Sequence, residues 1–246
     1  MKLVEAYSCR QLTYFSDRLT ALRGVASKFA DSDPGPYSWG IWGEGVAIQL
    51  AWRTWRQLES LDYPSWSWAS VYGPCYFAES NRRPNGFSSA CDWIQLPTES
   101  NPDNDMYSRI LVISSVVVDA SIYLDGEDRR ELTVKVNIGD RRYEIAEDST
   151  QWHERAKGRG NVPEEDHLID GDSVVCMALL TYQETDWIRP YTRTWLVLRR
   201  SSQEENLYRR VAILHINWSG HELERNLADF EHHIAPFAEK RALQII

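Results

Sequence analysis

The chain lacks any apolar run approaching the ~18 residues that a membrane-spanning helix needs, so no membrane span is expected. Its opening stretch, MKLVEAYSCRQ, has neither an apolar segment nor a small-residue cleavage site, which argues against secretion. Cysteine is scarce: Cys9, Cys75, Cys91 and Cys176 are the only four, and none stands in a C-x-x-C spacing. Four cysteines so placed do not make a disulfide scaffold, and they fit reduced, mostly buried thiols in the cytoplasm. Positive charge is short as well. Lys and Arg number 27 against 36 Asp and Glu, a net charge of −9, with no dense basic stripe. Nucleic acid and anionic membrane surfaces are poor partners for such a chain, because both reward basic clusters.

Signature loops of catalysis are missing too. The sequence contains no G-x-S-x-G, no G-x-G-x-x-G, no Walker loop and no H-E-x-x-H, so hydride and phosphoryl transfer have no support and no cofactor is assigned. The six histidines carry no ligand spacing. His153 with Glu154 and Asp166 with His167 lie in the longest polar stretch. His232 and His233 are adjacent, which on a helix sets them about 100° apart. No metal site is assigned. Cys75 or Cys91 paired with a histidine as a nucleophile has no sequence context behind it.

What the chain has in abundance is tryptophan, 11 in 246 residues. Trp39, Trp42, Trp52, Trp55, Trp66 and Trp68 crowd one region. Each indole brings a large apolar surface and one N–H that needs an acceptor. Such a cluster builds either a large core or the wall of an aromatic pocket, which is mostly apolar with a few placed polar groups.

Periodicity divides the chain. Phe15, Leu19, Leu22, Ala26 and Phe29 recur at steps of four and three, predicting a helix from Ser16 with Asp17 in its first turn, ended by the DSDPGP run at 31–36. Ala47, Leu50, Ala51 and Trp55 predict a second helix over 46–55. In PSWSWASVYG the two-residue spacing of Trp66 and Trp68 predicts a strand with both indoles on one face. Further strands are expected at 109–124, 173–182, 194–200 and 207–216, with a hairpin of 131–137 and 142–146 about Ile138-Gly139-Asp140. Long polar stretches at 79–90, 97–108 and 147–172 interrupt them. A capping box at 219–222 followed by Leu223, Leu227, Phe230 and Ile234 predicts a closing helix, stopped by Pro236. The expected fold class is α+β in a single domain, 1–246: N-terminal helices over 1–60, a twisted antiparallel sheet or open barrel over 61–217, and a C-terminal helix over 218–246.

Several stretches carry a family likeness. Residues 7–26, YSCRQLTYFSDRLTALRGVA, resemble a Y-S-x-R-x-L-T-x-x-x-D-R-L-x-A-L-x-G-x-A run. YSWGIW at 37–42 resembles Y-x-x-G-L-W, Leu50-Ala51-Trp52 resembles L-L-W, and YPSWSWAS at 63–70 resembles R-A-P-S-W-S-W-A-S. WLVLRRS and YRRVAILHI resemble the strands G-L-V-L-R and Y-x-R-V-G, with Ala212 where glycine is usual. In this order the runs resemble the C-terminal, β-rich region of fungal heterokaryon-incompatibility (HET) proteins, without the N-terminal signature domain associated with incompatibility and cell death. The resemblance implies a role in allorecognition, or an inherited scaffold put to another use in fungal secondary metabolism.

Two functional readings follow. In the first, the chain is a cofactor-independent small-molecule cyclase of the Diels–Alder type, whose aromatic cleft folds a hydrophobic terpenoid or polyketide substrate into a reactive shape while one donor polarises a carbonyl. Trp42, Trp52, Trp66, Trp68 and Tyr76 are then the substrate-binding candidates, and Arg18, Asp17 and Tyr72 the catalytic ones. Asp17-Arg18 carries a structural reading as well, a helix-start acid and an Arg stacked on an indole. Of Arg209 and Arg210, one must face inward on a strand and need partners. In the second reading, the chain is a non-catalytic interaction or regulatory module with a protein partner.

Overall fold

The computed structural model describes residues 1–10, 14–30, 34–54, 63–71, 73–77, 86–97, 107–125, 133–144, 146–147, 170–183, 191–201, 206–218 and 232–246. The N-terminal layer begins with α1 (Lys2–Ser8) and α2 (Asp17–Ala30). Asp17 stands in the first turn of α2 and Lys28 in its last, matching both ends of the helix dipole. Next comes the hairpin β1 (Tyr37–Ser38) and β2 (Ile41–Trp42), whose turn residues Trp39 and Gly40 have φ of 49° and 88°. Two positive-φ residues make the turn that matches the twist of an antiparallel pair. Then come α3 (Val46–Leu50), β3 (Trp52–Thr54) and β4 (Cys75–Phe77), the last two forming a small antiparallel sheet.

The second predicted helix is therefore shorter than expected. It stops at Leu50, and Trp52 pairs with Phe77 across β3–β4. Guanidinium bonds from Arg210 to the carbonyls of Leu50 and Trp52 hold the chain out of the helix at this point.

The remaining strands are β5 (Phe87–Ser89), β6 (Cys91–Gln95), β7 (Leu111–Asp125), β8 (Thr133–Ile138), β9 (Arg141–Glu144), β10 (Ala146–Glu147), β11 (Ser173–Gln183), β12 (Tyr191–Arg200), β13 (Leu207–Trp218) and β14 (Ala238–Ile245). They form one ten-stranded sheet in the order β5-β11-β12-β13-β14-β7-β8-β9, with β6 on β7 and β10 on β13. The spine is β7, 15 residues long. One of its edges takes β14 along Leu111–Val118 and then β8 along Ser121–Asp125; the other takes β6 and then β11. All pairings are antiparallel except β13 with β14, which meet over two residue pairs only. The sheet bends back on itself, β11 pairing with β7 as well as with β12, but it is not a closed barrel. Among the described residues the fold is thus mixed and strand-dominated, with α1 to α3 all within the first 50 residues.

Alternation along the strands fills two cores. On β12, Leu196 and Leu198 face the N-terminal layer, while Trp195 and Val197 face the opposite side with Cys176, Val136 and Ile234. The C-terminal helix expected over 218–246 is corrected: residues 238–245 are strand β14, bonded along β7. Leu243 and Ile245 alternate inward while Glu239 and Lys240 stay exposed, a pattern too sparse in apolar residues to announce a strand. Residues 232–234 are helical, and the capping box at 219–222 lies outside the described residues.

Candidate functional site

The segment 65–70 is not a strand. It turns through Pro64 to Ser67 and enters a 3₁₀ helix, Trp68–Ser70, capped by the Ser67 hydroxyl, which accepts from the Ala69 N–H at 3.0 Å. A strand would have left its polar atoms to neighbouring strands; here each one ties down a different part of the chain. Trp66 Nε1 donates to the Arg109 carbonyl at 2.9 Å and Trp68 Nε1 to the Gly40 carbonyl at 2.9 Å. Ser67 Oγ donates to the Trp39 carbonyl at 2.6 Å. Ser65 Oγ accepts from the Arg210 N–H at 2.9 Å and donates to the main-chain oxygen of Ile246. Trp52 Nε1 in turn donates to the Trp66 carbonyl at 3.0 Å. Trp52, Trp66 and Trp68 are at most 1% exposed. Of the two roles open to the cluster, these three indoles take the core, each with its N–H satisfied.

The two inward arginines are also structural. Arg18, on the first turn of α2, is 3% exposed and points under Trp68, its Cζ 5.1 Å from that ring. It donates to the carbonyls of Val71 and Gly73, the latter at 3.1 Å, and lies 3.9 Å from the Cys75 sulfur. Burial pulls this guanidinium below its ordinary range, with Cys75 opposing the shift. Arg210, 2% exposed on β13, is the inward member of the Arg209-Arg210 pair. It stacks 3.6 Å over the Trp52 ring and donates to Leu50 O at 2.7 Å and to Trp52 O. Asp17 is exposed on the solvent side of α2, so the Asp17-Arg18 pair serves as helix start and stacked cation. Tyr72 lies outside the described residues. Tyr76 is 37% exposed between inward Cys75 and Phe77, and so projects away from the interior.

One cavity of about 170 Å³ opens between α1 and α2. Leu3 and Val4 form one side, and Leu22, Val25, Ala26 and Phe29 the other. Trp42, Trp68 and Phe77 lie at its base, with Tyr37 and Gln49 at the margin. Of the sequence-named binding residues, Trp42 and Trp68 reach this groove, and Trp52, Trp66 and Tyr76 are not among its lining residues. The Trp42 ring packs 4.6 Å from Tyr37. Its backbone is fixed by Gln49, whose amide accepts from Trp42 N at 3.0 Å and donates to Trp42 O at 2.9 Å and Glu44 O at 2.7 Å. The amide is therefore committed to the loop rather than turned into the groove.

The helical periodicity contained this site without revealing it. Leu22 is buried, but Val25 is 36% exposed and Phe29 54%, with Leu3 at 47% opposite. The apolar stripe of α2 is covered only in its first two turns. An uncovered stripe and a covered one have the same spacing, so the pattern alone could not tell groove from core.

Among the described residues no group of three or more His, Cys, Asp or Glu is placed to hold a metal ion, and no helix is long and apolar enough to cross a membrane. No family model matches the sequence, and neither a curated protein nor a solved structure does.

Proposed function

We propose that the chain is a regulatory binding module, resembling the C-terminal region of HET proteins, that works by taking up a small apolar molecule in the groove between α1 and α2. The observation that carries this reading is an open groove with apolar walls on Leu3, Val25, Ala26 and Phe29, beside a tryptophan cluster that is itself sealed. A cavity of about 170 Å³ compares with the ~150 Å³ apolar cavity that binds one benzene, so it admits one ring or a short branched chain. Enclosed small-molecule sites start at about 300 Å³. The groove therefore suits recognition of one part of a ligand, the rest lying along the helices.

The cofactor-independent cyclase is a second reading, favoured by the aromatic base that Trp42 and Trp68 give the groove. A pericyclic step asks only for a shaped apolar surface and a donor. Arg18 is not among the residues lining the groove, and the Gln49 amide donates to the Trp42 and Glu44 carbonyls, so this reading takes its donor from elsewhere in the chain or from the substrate itself.

The test is a titration with 4-phenyl-1-butanol, followed through the indole N–H resonances. Binding in the groove shifts the Trp42 and Trp68 signals and leaves those of Trp52 and Trp66 in place. Ala26→Trp, which fills the groove, abolishes the response. Uniform or absent shifts would overturn the reading. Acceleration of a labile diene substrate over a boiled control, lost in Ala26→Trp, would favour the cyclase.

A further inference from the structure

We infer that the ligand of the groove is an anionic amphiphile: one apolar ring or short chain joined to a carboxylate. This rests on the groove being the binding site, as proposed above, and adds the charge of its occupant. Residues 1–30 hold five basic side chains against two acidic ones, a net of +3 in a chain whose total is −9. Four of the basic residues stand on the helices that frame the groove; Arg18 is turned inward, and Lys2, Arg23 and Lys28 are exposed.

Its placement follows from helical geometry. Leu22, Val25, Ala26 and Phe29 form the groove stripe of α2. Arg23 follows Leu22 and Lys28 precedes Phe29, each a step of about 100° from the stripe and on opposite sides of it. Both are exposed, and neither forms an ion pair or side-chain hydrogen bond with a described residue. Long basic side chains can lay their stems along apolar surface and bring the charge to its rim. The acidic residues of the same stretch are placed elsewhere. Glu5 accepts the Phe77 N–H at 2.8 Å, and Asp17 is eight residues before Val25, about 12 Å along the axis. Glu44 is exposed on the loop before α3, where its carbonyl holds Gln49. An acid whose tail enters between Val25 and Leu3 would meet cations on both flanks of α2. A concave groove takes a single inserted group better than it inserts into a bilayer, which needs apolar residues that protrude.

Three probes of one shape test it: 4-phenylbutyrate, 4-phenyl-1-butanol and 4-phenylbutylamine, titrated into the full chain and read at the Trp42 and Trp68 indoles. The expected order is carboxylate, alcohol, amine, with carboxylate and amine differing by about fivefold or more at low salt and converging in 0.5 M NaCl, as exposed charge pairs do. In the double variant Arg23→Glu, Lys28→Glu the order reverses, and in Arg23→Gln, Lys28→Gln it collapses, with circular dichroism unchanged in both. Equal affinity for all three probes overturns the charge inference and leaves the apolar groove standing. No indole response to any probe removes both. Co-sedimentation with phosphatidylglycerol vesicles, without a response to phenylbutyrate, assigns the face to a membrane and also overturns the inference.

Discussion

The indole N–H of Trp68 donates to the carbonyl of Gly40 at 2.9 Å, and the Cβ that any other residue would bring to position 40 falls 2.6 Å from that same nitrogen. The glycine has a φ of 88°, so position 40 is restricted twice: by its backbone and by the ring packed on it. Gly40→Ala is expected to cost about 2–4 kcal/mol, combining strain with displacement of the ring. Urea denaturation measures this directly, and a loss below about 0.5 kcal/mol would show that the turn and Trp68 are not locked together.

Burial of the indoles reverses what an aromatic pocket would lead one to expect of their variants. Trp52→Ala, Trp66→Ala and Trp68→Ala should each lose about 3–5 kcal/mol, because each opens a large hole and leaves a carbonyl without its donor. Trp42→Ala, half-buried at the base of the groove, should lose only about 1–2 kcal/mol and abolish the response to phenylbutanol. If Trp66→Ala keeps native stability, the core assignment fails.

Arg210 is held by its forked geometry as much as by its charge. Arg210→Met removes the donors to Leu50 O and Trp52 O and should destabilise by about 3 kcal/mol. Arg210→Lys keeps the charge but cannot span both carbonyls while stacking on Trp52, so it should rescue little. Full rescue by lysine would mean that charge alone matters at this position.

The thiols sort by burial. Cys9 is exposed, Cys91 intermediate, and Cys75 and Cys176 buried. In the native protein a thiol reagent should modify Cys9 at once and Cys75 and Cys176 only on unfolding. Burial also pushes the Cys176 thiol up to about 12 from an ordinary 9.0. Between those values the unfolded chain has released this proton and the folded chain has kept it. The folded state then binds more protons, and stability falls as pH rises above 9, by up to about 1.4 kcal/mol per pH unit from this group. Cys176→Ala should be less stable at neutral pH yet show a shallower loss between pH 9 and 11. Parallel curves would exclude a buried, protonated thiol.

Much of the sheet is legible in the amino-acid pattern, and the site much less so. Strands β7 and β11 to β13 announce themselves by β-branched and apolar runs that feed both cores, and the hairpin of β8 and β9 by its alternation about the Gly139 turn. The helix α2 is equally plain. The segment 65–70 misleads because a spacing of two is shared by strands and by a tight turn whose indoles are drawn to distant carbonyls; Trp66 and Trp68 end in one core, but through Arg109 and Gly40 rather than through strand partners. β14 is hidden for the opposite reason, since its charged residues suit a helix and only its pairing with β7 makes it a strand. Arg18 and Arg210 illustrate a third limit. Sequence shows that an inward arginine needs acceptors, and only the folded chain shows that the acceptors are backbone carbonyls rather than a ligand.

The bond from Ser65 to the main-chain oxygen of Ile246 joins residues 181 apart in sequence. On a ribosome adding about 5–20 residues per second, that partner appears roughly ten to thirty-five seconds after Ser65 has been made. Until then the tryptophan-rich segment waits with its hydroxyl uncommitted, Arg210 unplaced for most of that time, and β7 lacking β14. The tryptophan-rich segment is thus completed by residues made long after it, and its consolidation waits on that later part of the chain.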